Sequence, residues 1–422
     1  MIDRWTGWKR AAAVFLVCAV DSGCSMLGPQ SLNQTRLMYN EVVKATTEEQ
    51  LLLNIVRLRY TDTPSSLAVS AIAAQFERSQ SFQLTPFFTA AGADINRSFT
   101  IVLPQGQVLS ADRPTFSLTP LDDQEFTRKL FTPLPLDGIV YLAKTTWPIS
   151  TVFRLYLENL NWVSNAQTAS GPTPKAPPIY IDFQRGIEAM QTLQDRSQIV
   201  FGLEERSETI GGALPAAVVT ARDIIEAAKS GYEYLPDEKG TLWTLTKKVQ
   251  KPVLLIDPQA VDSAEMREFA RIFRLKHGLK KYDITQEVLA PFPATYPAEG
   301  VTNIDLETRS LLQAMYYLST GIEIPPEHVS GGLVTVTREP SGQLYDWAAL
   351  TKGLFRVRWA QGEERPAGAH VAARYNDYWF YIDKTDQDSK STFSLLMELA
   401  RLELAAGKGG GGPLLTLPIS GK

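Results

Sequence analysis

The chain has 422 residues, 44% of them apolar and 21% charged, and a formal net charge of −4. Those proportions describe a globular body with enough residues for a core and for two or three domains, and the mild acidity argues against nucleic acid or an anionic lipid surface as the main partner. Both cysteines, Cys18 and Cys24, lie near the start, which excludes disulfides, a cysteine metal site and a thiol nucleophile from everything after residue 24.

The first element reads as an export signal. Arg4, Lys9 and Arg10 precede an uninterrupted apolar run, Ala11 to Val20, and then Asp21-Ser22-Gly23-Cys24; a positive start, a short apolar stretch and small residues before a cut are the parts of such a signal. Ten apolar residues as a helix reach roughly 15 Å, about half of a bilayer's hydrocarbon core, too short for a stable span. The Ser-Gly-Cys ending resembles the bacterial lipobox, in which the cysteine becomes the first residue and carries a diacylglycerol and an N-acyl chain. Asp21 departs from that pattern, which usually has an aliphatic residue there, and Val17-Cys18-Ala19 offers an ordinary cleavage alternative. The expectation is a signal peptide over residues 1–23, lipidation at Cys24 and firm attachment, since more than one acyl chain is needed for stable anchoring. Ser25, where inner-membrane lipoproteins of Gram-negative bacteria tend to have Asp, resembles the outer-membrane default, so the expected place is the outer membrane, facing the periplasm.

Residues 24–165 read as a helical pair followed by β-rich and helical stretches. Ser31 to Tyr60 is helical, with Thr47-Glu48-Glu49-Gln50 as a capping box that starts a second helix carrying Leu51, Leu52, Ile55, Val56 and Leu58. Leu67–Phe76, Ser81–Phe88, Phe99–Leu103 and Pro114–Leu118 read as strands of a small antiparallel sheet. Asp122 to Val163 reads as helices started by Asp122-Asp123 and Pro148. Residues 166–178, with Pro172, Pro174, Pro177 and Pro178, read as a linker.

The stretch 179–290 reads as an α/β region. Its strands are Ile199–Leu203, Pro252–Ile256 and Asp283–Leu289, and its helix runs from Asp262, the expected cap, to His277, giving a βαβ-like unit. After a proline-rich break at Pro291 to Pro297, residues 298–408 read as α+β. A helix is expected over Ile304 to Leu318, strands over Phe355–Trp359, His370–Tyr375 and Tyr378–Ile382, and a deeply packed helix over Ser389 to Leu404. Asn376-Asp377 has the form of a two-residue hairpin turn. In residues 409–422 a glycine linker precedes a strand-like tail, Leu414–Ile419, suited to adding to a sheet edge in this chain or a partner. The fold class expected is α+β.

No catalytic residue, metal site or cofactor is expected. H-E-x-x-H, a P-loop and the G-x-S-x-G elbow are absent from the sequence. The three histidines, His277, His328 and His370, read as structural. Asp383, Asp386 and Asp388 between a strand and a helix could hold Ca²⁺ or act as acid and base, but helix capping accounts for them more simply. Arg356 and Arg358 alternate with Phe355, Val357 and Trp359, and Arg374 and Trp379 lie on nearby predicted strands. These four are the candidate ligand-binding residues, for an anionic glycan or headgroup, with surface pairing to Asp or Glu as the plainer reading.

Three blocks are distinctive: Glu49-Gln50-Leu51-Leu52-Leu53-Asn54-Ile55-Val56-Arg57-Leu58-Arg59-Tyr60, Ser310-Leu311-Leu312-Gln313-Ala314-Met315-Tyr316-Tyr317-Leu318, and Tyr378-Trp379-Phe380-Tyr381-Ile382-Asp383. Together they resemble a family of uncharacterised proteobacterial outer-membrane lipoproteins with no assigned activity. The resemblance implies an envelope location and transfers no functional residues. The reading is a non-enzymatic, membrane-anchored lipoprotein, a scaffold or accessory part of an envelope assembly with an envelope protein as partner. The alternatives are a glycan- or envelope-ligand-binding lipoprotein and an envelope hydrolase.

Overall fold

The computed structural model describes residues 27–65, 67–73, 76–89, 99–112, 115–120, 124–286, 296 and 300–405. Cys24, the expected export segment, the expected glycine linker and the expected tail strand Leu414–Ile419 lie outside the described residues. The chain is α+β and divides into two compact units, one of residues 1–44, 65–123 and 405–422, the other of residues 45–64 and 124–404.

The first helix, α1, runs unbroken from Leu27 to Arg59, so the expected helical pair is one 33-residue helix. Thr46 and Thr47 are tolerated inside it because nothing there removes an N–H or forces a positive φ. Leu52, Ile55 and Val56 near its end are fully buried, while Leu37, Met38 and Val42 are exposed. In the first unit, β1 (Leu67–Ala73) pairs antiparallel with β4 (Thr115–Pro120), and β2 (Phe76–Thr89) with β3 (Phe99–Asp112) in an unbroken register from Phe76↔Asp112 to Thr89↔Phe99. The expected strands are present, as two separate two-stranded ladders.

The second unit opens with three short helices, α2 (Gln124–Phe131), α3 (Leu136–Lys144) and α4 (Ile149–Tyr156). Next come β5 (Leu157–Leu160), β6 (Val163–Ser164) and α5 (Ile181–Asp195). The expected linker, 166–178, lies inside this unit: Ala166 and Ala169 are fully buried, and Thr337 donates to the Pro174 carbonyl. Its prolines keep the backbone extended without an N–H to satisfy, which suits a packed segment as well as a loose one.

An eight-stranded sheet forms the middle of the unit. Its strands include β7 (Ile199–Thr209), β8 (Leu214–Pro215), β9 (Tyr232–Pro236), β10 (Leu242–Ile256), β11 (Lys281–Thr285) and β12 (Asn303–Thr308), in the order β6-β5-β12-β11-β10-β7 with β8 and β9 on β10. Between β8 and β9 lies α6 (Ala221–Lys229), and between β10 and β11 lies α7 (Ala264–Ile272). The expected βαβ unit is corrected, because β10 and β11 are antiparallel and the parallel pair is β11 with β12. The cap of α7 is Ser263, whose side chain accepts from Met266 N, not Asp262. His277 lies past the helix, facing Asp262 at 3.6 Å.

The expected helix over Ile304–Leu318 is a strand followed by a helix. Ile304, Leu306 and Thr308 alternate inward on β12, and α8 (Leu311–Ser319) starts at Ser310, which shares a capping box with Gln313. Then come α9 (Pro326–Ser330), α10 (Ala348–Thr351) and a three-stranded antiparallel sheet, β13 (Arg358–Gln361), β15 (Tyr378–Asp383) and β14 (Ala369–Tyr375), in that order. Asn376 and Asp377 form the turn with φ of 46° and 65°, the left-handed pair that a tight hairpin needs. The last helix, α11 (Gln387–Ala405), packs Phe393, Leu396 and Leu399 inward.

One interior feature stands out chemically. Arg309 is fully buried, and none of its hydrogen-bond acceptors among the described residues is a carboxylate. Its Nε donates to Ser170 Oγ at 2.8 Å, Nη1 to the carbonyls of Arg154, Leu155 and Leu157, and Nη2 to the Asn165 carbonyl. The guanidinium lies over the Tyr317 ring at 4.1 Å. Burial lowers its pKa to about 10, so it stays charged at neutral pH. It joins the end of α4, β5 and the segment after β6 around one charge.

Candidate functional site

Of the residues expected to bind a ligand, three share a face of the C-terminal sheet. Trp379 lies between Arg374 on β14 and Ala360 on β13, and Arg358 faces Tyr381. By strand alternation Arg358, Arg374, Trp379, Tyr381 and Asp383 point to the same side. The opposite side carries Phe380 and Ile382 into the core. Arg356 precedes β13 and is not part of this face.

All three arginines on these elements are engaged by carboxylates. Arg356 pairs with Glu323, Arg358 with Asp383 at 3.1 Å, and Arg374 with Asp377 at 3.8 Å. An anion would have to displace those partners. The plainer of the two sequence readings, surface pairing, is the observed one.

The aspartates are occupied by local backbone work. Asp383 accepts from the Thr385 N–H and hydroxyl, and these bonds, with Arg358 beside it, hold its pKa below the usual carboxylate range. Asp386 accepts from Ser389 N at 3.0 Å and from its hydroxyl at 2.7 Å, the geometry of a helix cap. Ser389 Oγ in turn accepts from Arg356 N. Asp388 sits in the first turn of α11, where the helix dipole favours it. No group of three metal-ligating side chains occurs among the described residues.

His328 is buried, and its Nδ1 lies 2.6 Å from the Tyr60 hydroxyl. Tyr60 also packs on Tyr375 and Phe380, and His328 on Tyr378, with ring centroids 4.7–6.0 Å apart. Burial pushes the Tyr60 hydroxyl above its usual range, and its neighbours Tyr375 and Tyr378 add to the shift. This cluster fastens the end of α1 to the C-terminal sheet and reads as structural. His370 is on β14 and exposed.

Two features escaped the sequence reading. The first is a groove of about 750 Å³ beside Arg59, walled by Ile322, Ile324, Val336, Leu344, Trp347 and Phe355. Its floor depends on Gly321, where a Cβ would meet the Phe355 carbonyl oxygen at 2.5 Å. Arg59 is 5% exposed; Nη1 donates to Thr173 Oγ1 at 2.6 Å and to the Thr335 carbonyl at 3.2 Å, while Nε is enclosed without an acceptor. Burial lowers its pKa to about 10. The indole N–H of Trp347 is likewise enclosed without an acceptor. Nothing local marks such a groove, because its walls come from residues 59 and 320–356 brought together by the fold.

The second is an arm built from the distal parts of β7 and β10 with β8, α6 and β9. The register of β7 with β10 runs continuously from Ile256↔Ile199 to Thr246↔Thr209. Burial ends with distance along it: β7 is buried only at Ile199 and Phe201, and no residue of α6 is buried. Helix α6 is nonetheless well formed, with Thr220 and Asp223 closing a capping box. Its apolar residues are left outward, Ile225 being 56% exposed and the nearby Val218 62%, with Leu214, Ile224, Leu235 and Leu242 also exposed. The faint sequence signal was an apolar set between two strands with no further element to cover it.

No family model, curated protein or solved structure matches the chain.

Proposed function

We propose that this protein is a non-enzymatic envelope lipoprotein, tethered through Cys24 to the outer membrane and facing the periplasm, that docks another envelope protein by the arm of residues 199–256. The observation that carries the docking reading is the apolar tip of that arm. A helix with a formed cap and uncovered isoleucines pays to keep apolar surface in water, and such patches mark contact sites. The arm has seven basic and eight acidic residues, so it is close to neutral and has no charge to draw it to anionic lipid or nucleic acid. The occupant that suits it is an apolar groove on a different protein, taking the face of α6 as groove-binding helices are taken. The tether rests on the lipobox-like Ser22-Gly23-Cys24.

The test is crosslinking of the full chain in intact cells, purification through a tag, and mass spectrometry, with Val218→Asp/Ile225→Asp and Cys24→Ala beside the natural sequence. One stoichiometric envelope protein, lost from the double variant and reduced when Cys24 is absent, is the expected result. The two substituted arm residues are exposed, so the fold should survive. Capture unchanged by the double variant, or crosslinks only between copies of the chain, would overturn the docking reading.

A glycan-binding reading keeps one observation in its favour, the shared face of Arg358, Arg374 and Trp379. Unaltered glycan binding by Arg358→Ala or Trp379→Ala would remove it. The hydrolase reading loses its support, since Asp383 and Asp386 are held by turn and cap bonds.

A further inference from the structure

We infer that the groove beside Arg59 binds a long-chain monocarboxylate, its head against the Arg59 guanidinium and its chain along the apolar wall. The inference stands apart from the arm and does not depend on it.

Among the described residues two guanidinium groups are buried, those of Arg59 and Arg309. Arg309 uses all three of its nitrogens on five acceptors. Arg59, 5% exposed, uses only Nη1; its Nη2 makes no hydrogen bond among the described residues and, unlike Nε, is not enclosed. A buried cation with unmade hydrogen bonds is costly, and Arg59 makes no ion pair with a carboxylate, unlike the exposed arginines of the same region. The difference between the two arginines is that Arg59 lines the groove.

What would satisfy the open Nη2 of Arg59 must accept hydrogen bonds and carry negative charge. A carboxylate does both and matches a guanidinium in shape. The remaining lining selects the rest of the molecule. Ile322, Ile324, Val336, Leu344 and Phe355 offer apolar contact, and the volume lies within the roughly 300–1,000 Å³ of small-molecule sites. Glu323, Asp346, Asp386 and Asp388 also line the groove and outnumber the further cations Lys352 and Arg356, with Asp346 and Asp388 exposed and Arg356 paired to Glu323. They disfavour a ligand bearing several negative charges, which leaves a single charged head on an apolar chain.

The experiment uses the full chain in nanodiscs of neutral phosphatidylcholine, irradiated with a diazirine-bearing dodecanoate, with labelled peptides mapped by mass spectrometry. Label should concentrate on residues 320–324 and 344–356 and fall roughly tenfold, a change of about 1.4 kcal/mol in binding, under excess dodecanoate. Dodecanol, with the same chain and no charge, should compete poorly. Arg59→Gln should lose the label. Ala349→Trp, at an exposed lining position, should block the groove without touching the core, which covers the case of an Arg59 variant that fails to fold. Label spread evenly over the surface, label unaffected by Ala349→Trp, or equal competition by dodecanol would overturn the inference.

Discussion

Replacing Arg309 by methionine should destabilise the unit of residues 124–404 by about 3 kcal/mol. Methionine fills similar space but donates nothing. Asn165 Nδ2 also donates to the Arg154 and Leu157 carbonyls, at 2.9 and 2.7 Å, so those two keep a donor. The Leu155 and Asn165 carbonyls and Ser170 Oγ lose the donor that Arg309 gives them. Each buried acceptor left without a partner costs about 1–3 kcal/mol. Removing the charge recovers part of its desolvation cost, several kcal/mol, which brings the net to the figure given. Arg309→Lys should fall between, since an ammonium cannot reach acceptors spread around a planar fork. Urea unfolding followed by tryptophan fluorescence reads the effect, provided the slope with denaturant is unchanged. A midpoint for Arg309→Met equal to or above that of the natural chain would refute the reasoning, because the carbonyls would then need no donor from residue 309.

Three other outcomes follow from the packing and the charges. Asp386→Ala removes the cap of α11 and the acceptor of Ser389 Oγ, and should cost about 1 kcal/mol in the same unfolding measurement. Gly186→Ala should destabilise by about 1–3 kcal/mol, although alanine is the better helix former, because its Cβ would stand on the fully buried Phe273 ring; a gain in stability would show that α5 and α7 can part at little cost. Asp283 is held below the usual carboxylate range by hydrogen bonds from Arg206, and Glu204 by those from Lys281 and Arg206. A depressed folded pKa gives stability that is present above the unfolded value, near pH 4, and is lost as pH falls through the folded one. Amide protection factors, corrected for the intrinsic slowing of exchange in acid, should therefore fall more in β7 and β11 than in α8 between pH 6 and pH 3, and Arg206→Gln should flatten the difference.

Much of the local structure was readable because local rules decide it. Asn376-Asp377 specifies its turn through φ > 0, and the strands on either side and α11 fall close to their expected spans. Where two local signals competed, the tertiary context chose. Ile304 to Leu318 carries an apolar pattern that either period accommodates in part; pairing with β5 and β11 made its first five residues a strand, and Ser310 then capped the helix. The Thr47 capping box was overridden because α1 could continue without losing a hydrogen bond. The prolines of residues 166–178 looked like a linker, since proline content reports backbone stiffness and not whether a core lies beneath.

The sequence by itself determined the fold class and the tight turn between the last two strands. Those depend on composition and on short spacings, whereas Arg356 meets Glu323 across 33 residues and Arg358 meets Asp383 across 25. Tertiary structure alone decided that Arg309 is saturated and Arg59 is not, that a groove opens beside the second, and that the arm carries its apolar residues outward. Each of these depends on which distant atoms are withdrawn from water together, and the long-range contacts that withdraw them, such as Arg59 with Thr173 and Thr335, leave no mark at either end of the chain segments they join.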